Sequence, residues 1–204
     1  MSCVPLRYAA QTAPAVRAAR ANEAERCEAL VTLAFGADPV ARWVWPDPLQ
    51  YRSAFPPFVR ALAGRAFVHG SAHVLAGNEG AALWLAPGVE PDEQALLDAV
   101  ERSVPTERLG GALELVERMG PAHPDEPHGY LPFIAVDPAH QRKGLGSVLL
   151  RHALVTCDRE GRLAYLEATS AANRALYERH GFEAVGEIRV GSSLPLTPML
   201  REPS

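Results

Sequence analysis

The chain has 204 residues, 48% of them hydrophobic and 22% charged, a globular mix long enough for one domain with a substantial core. A net charge of −4 argues against nucleic acid as a partner, and no apolar run reaches the length of a membrane span. Cys3, Cys27 and Cys157 are odd in number and far apart; with no secretory pattern in the first ten residues, they predict reduced thiols and a cytoplasmic location. The histidines and cysteines form no paired ligand set, so no metal is expected.

Residues 1–13 read as a loose leader, and Ala15–Ala19 suits a short edge strand. Asn22 and Glu25 have capping-box spacing, after which Cys27, Leu30, Val31 and Ala34 share one helical face up to Gly36. Tyr51, Phe55, Phe58, Val59 and Leu62 repeat at helical spacing, with Pro56 and Pro57 expected to kink or restart that helix. Ser71–Ala76 and Ala81–Leu85 read as a hairpin around Gly77-Asn78-Glu79-Gly80. Residues 91–119 predict two helices broken near Pro105, the second carrying Leu109, Ala112, Leu113, Val116 and Met119 in register.

A loop rich in proline and histidine, Pro121–His128, leads to a strand at Tyr130–Val136 and a glycine turn. A helix (Ser147–Asp158), a strand (Leu163–Thr169) and a short helix (Ala171–Arg179) follow. Gly181-Phe182 introduces a strand through Val190, and a last strand lies near Leu196–Arg201. This order predicts a single α/β domain over residues 1–204, built around a mixed sheet.

The most informative stretch is Gln141-Arg142-Lys143-Gly144-Leu145-Gly146-Ser147, between a strand and a helix. Two glycines two apart let the backbone bend so that successive N–H groups point outward at a helix start, where the helix dipole favours an anion. The run is not a P-loop, and Leu149 stands where a dinucleotide fingerprint needs its third glycine. By spacing alone it is either a phosphate cradle or a plain glycine turn before a basic helix start.

Val136-Asp137-Pro138, Gln141-x-x-Gly144-x-Gly146 and Asn173-x-x-Leu176-Tyr177-x-x-x-Gly181-Phe182 together resemble the GNAT superfamily of acetyl-CoA-dependent N-acetyltransferases. Within it, His123-Pro124-x-Glu126-Pro127, Leu166-Glu167-Ala168-Thr169-Ser170 and Tyr177-Glu178-Arg179 are most similar to the puromycin N-acetyltransferase subgroup. The detailed resemblance covers about residues 120–190. It implies a mixed, mostly antiparallel sheet flanked by helices on both faces, with acetyl-CoA as co-substrate. It also implies that the amides of Arg142, Lys143, Gly144, Leu145, Gly146 and Ser147 bind the CoA pyrophosphate, behind Gln141. Ile134 and Val136 would lend backbone groups to the pantetheine arm where their strand parts from the next. Asn173 would bind that arm or cap its own helix.

Acetyl transfer to an amine needs a neutral nucleophile, a stabilised oxyanion and a proton for the departing thiolate. Tyr177 matches the family tyrosine near the CoA sulfur, and a phenol stays protonated at neutral pH. Glu167 interrupts an otherwise apolar strand, where an unpaired carboxylate is expensive. It serves as base or relay, holds the substrate ammonium, or pairs with an arginine.

His123 and His128 are placed to reach the acceptor pocket or to pin their loop. Trp43, Trp45, Tyr51, Phe55 and Phe58 form either an aromatic wall for an apolar amine or ordinary core. Asp47 attracts a cation or serves a turn, and Cys157 reads as core. The expected activity is direct acetyl transfer in a ternary complex to a small-molecule primary amine. Acetylation of a protein or peptide amine, and a non-catalytic CoA sensor, are the alternatives.

Overall fold

A computed structural model describes residues 14–193 and 195–204; the leader proposed for residues 1–13 lies outside them. Seven strands form one sheet in the order β1 (Val16–Ala18), β2 (Ala72–Leu75), β3 (Gly80–Leu85), β4 (His128–Val136), β5 (Leu163–Ala168), β7 (Thr197–Arg201), β6 (Glu183–Ala184). All neighbours are antiparallel except β4 and β5. That parallel pair is joined by a crossover through α7 (Leu145–Glu160), as parallel pairing requires.

Period-2 alternation sends the strands' side chains to two separate cores. Ala81, Leu83 and Leu85 join α1 (Ala24–Ala34), α3 (Pro48–Ala63) and α5 (Glu93–Ser103) on one face. Ala82 and Trp84 join α7 and α8 (Ala171–Glu178) on the other. The short helices α2 (Pro39–Val44) and α4 (Arg65–Val68) and the longer α6 (Thr106–Met119) complete the first layer. The sheet is therefore mixed, mostly antiparallel and covered by helices on both faces, as expected. No described helix is long and apolar enough to cross a membrane.

Three local expectations change. The capping box from Asn22 and Glu25 is not made. A 3-10 turn, Ala21–Glu23, precedes α1, and Glu23 reaches back to the Arg20 N–H at 2.8 Å while pairing with Arg17. Second, α3 runs unbroken through Pro56 and Pro57. The carbonyls that lose donors, four residues earlier, belong to exposed Arg52 and Ser53, where water replaces the missing bonds.

Third, the strand expected through Val190 ends at Ala184. Opposite Val185 stands Pro198, which accepts the Val185 N–H at 2.9 Å but has no N–H to return, so the ladder lapses to one bridge, Ile188 to Leu196.

β4 carries the feature that positions the site. Its register against β3 passes from Leu83↔Phe133 to Leu85↔Tyr130, so three residues of β4 answer two of β3. This bulge spans Leu131 and Pro132, and proline has no ladder N–H to lose there. On the other side β4 pairs with β5 only through Tyr130↔Tyr165. Beyond that point the two strands part.

Candidate active site

Where β4 leaves β5, the even-numbered residues of β4 turn their backbone groups into the gap. Asp137 donates its N–H to Glu79 on the β3 side at 2.8 Å, so by alternation Ile134 and Val136 point the other way. Both line a groove of ≈ 480 Å³. Gln141 closes its start, donating its side-chain amide to the Val136 carbonyl at 3.1 Å.

The glycine run forms the groove's end. Arg142 has φ 59 and Gly144 φ 80, left-handed turns that aim neighbouring N–H groups to one side. Gly144 is the N-cap of α7 and brings no side chain to cap it. The first-turn amides of Leu145, Gly146 and Ser147 are thus left for an anion. Gly146 must also be small, because a Cβ there would stand 3.3 Å from Leu176 Cδ2 on α8. Arg142, Gly144, Leu145, Gly146, Ser147 and Asn173 all line the groove, whereas Lys143 turns back to the Ala139 carbonyl at 3.3 Å. Parted strand, left-handed turns and uncapped helix start together fit a long, amide-rich ligand ending in a pyrophosphate.

A second cavity of ≈ 90 Å³ lies on the other face of the sheet. Its wall is almost wholly apolar and draws on helices far apart in sequence, with Trp45, Phe55 and Phe58 among the aromatics. Two carboxylates, Asp38 and Glu167, are set into it. Trp43 and Tyr51 are not on this wall. Tyr51 is core, its hydroxyl donating to the Thr32 carbonyl at 2.7 Å. Asp47 serves its turn, capping α3 through the N–H groups of Leu49 and Gln50.

Asp38 and Phe35 line both cavities, so the two meet there. Asp38 Oδ1 caps α2, accepting from Val40 and Ala41 at 3.0 Å each, and Oδ2 accepts from the Thr169 hydroxyl. Thr169 Oγ1 in turn accepts from Asn173 Nδ2 at 3.2 Å, so one hydrogen-bond chain crosses from pocket to groove. Burial pushes the Asp38 carboxyl up, against the downward pull of these donors. Sequence reasoning missed Asp38. Its one local signal, Asp-Pro before a short helix, marks a cap and says nothing of a cavity.

Of the two candidate catalytic side chains, Glu167 lines the apolar pocket and Tyr177 lines neither cavity. Tyr177 is buried in the core it shares with α7, with its ring 6.0 Å from Phe182. Burial, then the charges of Asp38 and Glu167, push its phenol well up, so the hydroxyl holds its proton. Glu167 points to the opposite face of β5, its side chain 4% exposed, and its Oε1 makes no hydrogen bond of good geometry, with the Tyr130 and Tyr165 hydroxyls bearing on the same carboxylate. His123 Nε2 faces it at 3.5 Å. Tyr130 and Tyr165 stand beside it, their phenols pushed up by burial and by its charge. Cys157 is buried in the α7 core, with burial raising its thiol, which suits the packing role expected of it.

These features coincide with a known family. The acetyltransferase (GNAT) family model matches residues 76–182, more than half the chain. The chain belongs to the GNAT acetyltransferases. A stretch of 82 residues is 34% identical to an uncharacterized N-acetyltransferase of Schizosaccharomyces pombe, covering 39% of this chain and 33% of that protein. The alignment thus spans about a third of the relative's length. GNAT structures match the chain nearly end to end. An acetyltransferase of Corynebacterium glutamicum, described as histone acetyltransferase HPA2 and related acetyltransferase, superposes with TM-score 0.66 at 24% identity over 95% of this chain and 98% of its own. The polyamine N-acetyltransferase of Drosophila melanogaster gives 0.66 at 15% identity, over 92% and 99%. Arylalkylamine N-acetyltransferase 2 of Aedes aegypti gives 0.63 at 13%, over 93% and 99%. At these identities the likeness speaks for the fold. Among the described residues no group of three or more His, Cys, Asp or Glu side chains is arranged to hold a metal ion.

Proposed function

We propose that this GNAT protein transfers an acetyl group from acetyl-CoA to the primary amine of a small, largely apolar molecule, directly and within a ternary complex. The observation that supports this most is the junction of two unlike cavities. A backbone-lined groove suited to pantetheine and pyrophosphate opens, beside Asp38, into an apolar pocket bearing two carboxylates. An apolar wall receives the body of the acceptor, and carboxylates in that setting draw its ammonium.

In this reading the thioester is the acyl donor. Glu167 takes a proton from the ammonium, freeing the nitrogen lone pair to attack. Tyr177 hands its phenolic proton to the sulfur as the carbon–sulfur bond breaks, and the second amine proton restores the phenol. Ammonium and thioester become amide, thiol and one released proton. Backbone amides beside the gap, with Asn173, hold the cofactor arm so that its end reaches the junction. Cys157 lies in the core and takes no part, in keeping with direct transfer.

The resemblance to puromycin N-acetyltransferases over residues 120–190 makes puromycin one acceptor to try. The pocket's small volume argues for compact amines over peptide segments. The test is thiol release from acetyl-CoA with 2-phenylethylamine, puromycin, spermidine and a lysine peptide. Turnover is expected with at least one small amine. Tight CoA binding without release from any of them would replace this reading with the sensor one, and preference for the peptide would replace the acceptor class.

A further inference from the structure

The proline-rich loop before β4 and the first residue of that strand carry two histidines, His123 and His128, whose hydrogen bonds run in a single direction. His128 Nδ1 lies 2.8 Å from the backbone carbonyl of Glu126. A carbonyl only accepts, so Nδ1 of His128 carries a hydrogen, and in the neutral ring its Nε2 is a bare lone pair. That lone pair faces His123 Nδ1 at 3.0 Å, so His123 must also carry its hydrogen on Nδ1. Neutral His123 therefore presents a second bare lone pair, Nε2, to Glu167 Oε1 at 3.5 Å.

Two acceptors thus face each other across a nearly buried gap, and Glu167 Oε1 makes no hydrogen bond of good geometry, the Tyr130 and Tyr165 hydroxyls being its other polar neighbours. The arrangement lacks one proton. Adding it at His123 Nε2 turns the repulsion into an ion pair. Passing it on by one exchange, Nδ1 of His123 to Nε2 of His128, leaves the bond to Glu167 in place. His123 is held in this orientation by Tyr130 and Tyr165, whose rings lie 4.5 and 4.3 Å from its own. The titratable groups facing the pair are these two tyrosines, Glu167 on β5 and, across the pocket, Asp38 at the start of α2. Both histidines are partly exposed at the loop, which gives the chain an outlet to solvent.

We infer that His123 and His128 form a proton relay behind Glu167, carrying away the proton released when the acceptor ammonium is made nucleophilic. This rests on the acetyl-transfer reading above. The proton leaves the ammonium nitrogen for Glu167, passes to His123 Nε2, and displaces the Nδ1 proton of His123 onto His128 Nε2. No redox partner or further co-reactant is needed. Both histidines act through Glu167 and are positioning residues for the reaction.

Steady-state kinetics on the full chain, with acetyl-CoA and whichever panel amine is turned over fastest, test the relay. His123→Gln keeps a polar group near the Nε2 position and cannot pass a proton on. It is expected to lower kcat at least about 10-fold, less than the roughly 10²–10⁴-fold of a group that exchanges a proton with the substrate itself, with KM for the amine changed less than about 3-fold. His123→Ala should lose as much and recover kcat on adding imidazole, and either change should add little to Glu167→Gln. Wild-type kcat in His123→Gln, loss without imidazole rescue, or full additivity with Glu167→Gln would each overturn the relay.

The hydrogen-bond direction is read without any acceptor, by long-range ¹⁵N–¹H NMR of the histidine rings at alkaline pH. Nδ1–H forms of both rings are expected, and an Nε2–H form of either sinks the proposal. If no amine is acetylated while the NMR result holds, the acetyl-transfer reading has failed and the ring arrangement has not.

Discussion

The two sides of the junction are built by different means. The proposed cofactor groove is mostly backbone: Ile134 and Val136 where β4 leaves β5, two left-handed turns and the uncapped start of α7. The acceptor pocket is mostly side chain, assembled from α2, α3, α5, α6, β4 and β5. Backbone geometry demands particular residues at close spacing, glycine above all. An apolar wall demands only that something of suitable size arrive from each helix.

The comparison breaks if changes on one side are felt on the other. Gly146→Glu should have the largest effect. It sets bulk against Leu176 and a negative charge inside an anion cradle, and is expected to weaken CoA binding at least about 100-fold by calorimetry. Unchanged CoA affinity would remove the loop from the site. Tyr177→Phe should lower kcat about 100-fold, the lower end for a general acid, with acetyl-CoA affinity within about 3-fold of wild type. Unchanged turnover at saturating substrate would end its role as acid.

Asp38→Asn sharpens the boundary, because asparagine caps a helix as well as aspartate does. The cap is kept, the charge is lost, and the new amide donates to the Thr169 hydroxyl where Oδ2 accepted from it. The KM of a cationic amine is expected to rise about 10-fold, with the melting temperature and CoA affinity little changed; equal loss on both substrates would make Asp38 a structural member of both walls.

The smallest effect lies outside both cavities. His73, on β2 beside His152, is held down to about 4 by burial and then by its neighbour. The unfolded chain binds a proton at this position near pH 6.5 and the folded chain only near 4. Stability contributed by neutral His73 is therefore whole above about pH 6.5 and falls as pH drops through that window. His73→Phe should flatten urea-unfolding stability between pH 8 and 5 by about 1–2 kcal/mol, somewhat below the full shift because the ring is partly exposed. An unaltered pH slope would show that other groups set it.

Much of this was legible beforehand on the cofactor side. Gly144 and Gly146 in their spacing, with the Asn173–Phe182 signature, announced the family. Lys143 belongs to that motif by position, yet its ammonium turns to Ala139. Spacing places a backbone reliably and leaves a long, flexible side chain free. The helix through Pro56 and Pro57 escaped prediction because a proline's cost depends on where the orphaned carbonyls face, and these face water.

On the acceptor side the sequence offered Trp43, Trp45, Tyr51, Phe55 and Phe58 as equals. The structure separates wall from core among them and adds Asp38, the N-cap of α2. Nor does any local pattern show that the His128 ring is anchored by Glu126 and aims His123 at Glu167.

What the sequence by itself determined is the local chemistry: element order, the two-sided alternation of the strands and the anion-seeking glycine loop. These depend on residues within a turn or two of one another. Only the tertiary structure decided that β4 parts from β5 after Tyr130 and that the two cavities meet at Asp38. It alone decided that a buried carboxylate faces a histidine lone pair. Those are distances between residues far apart in the chain, set by how whole layers pack, and no short window of sequence contains them.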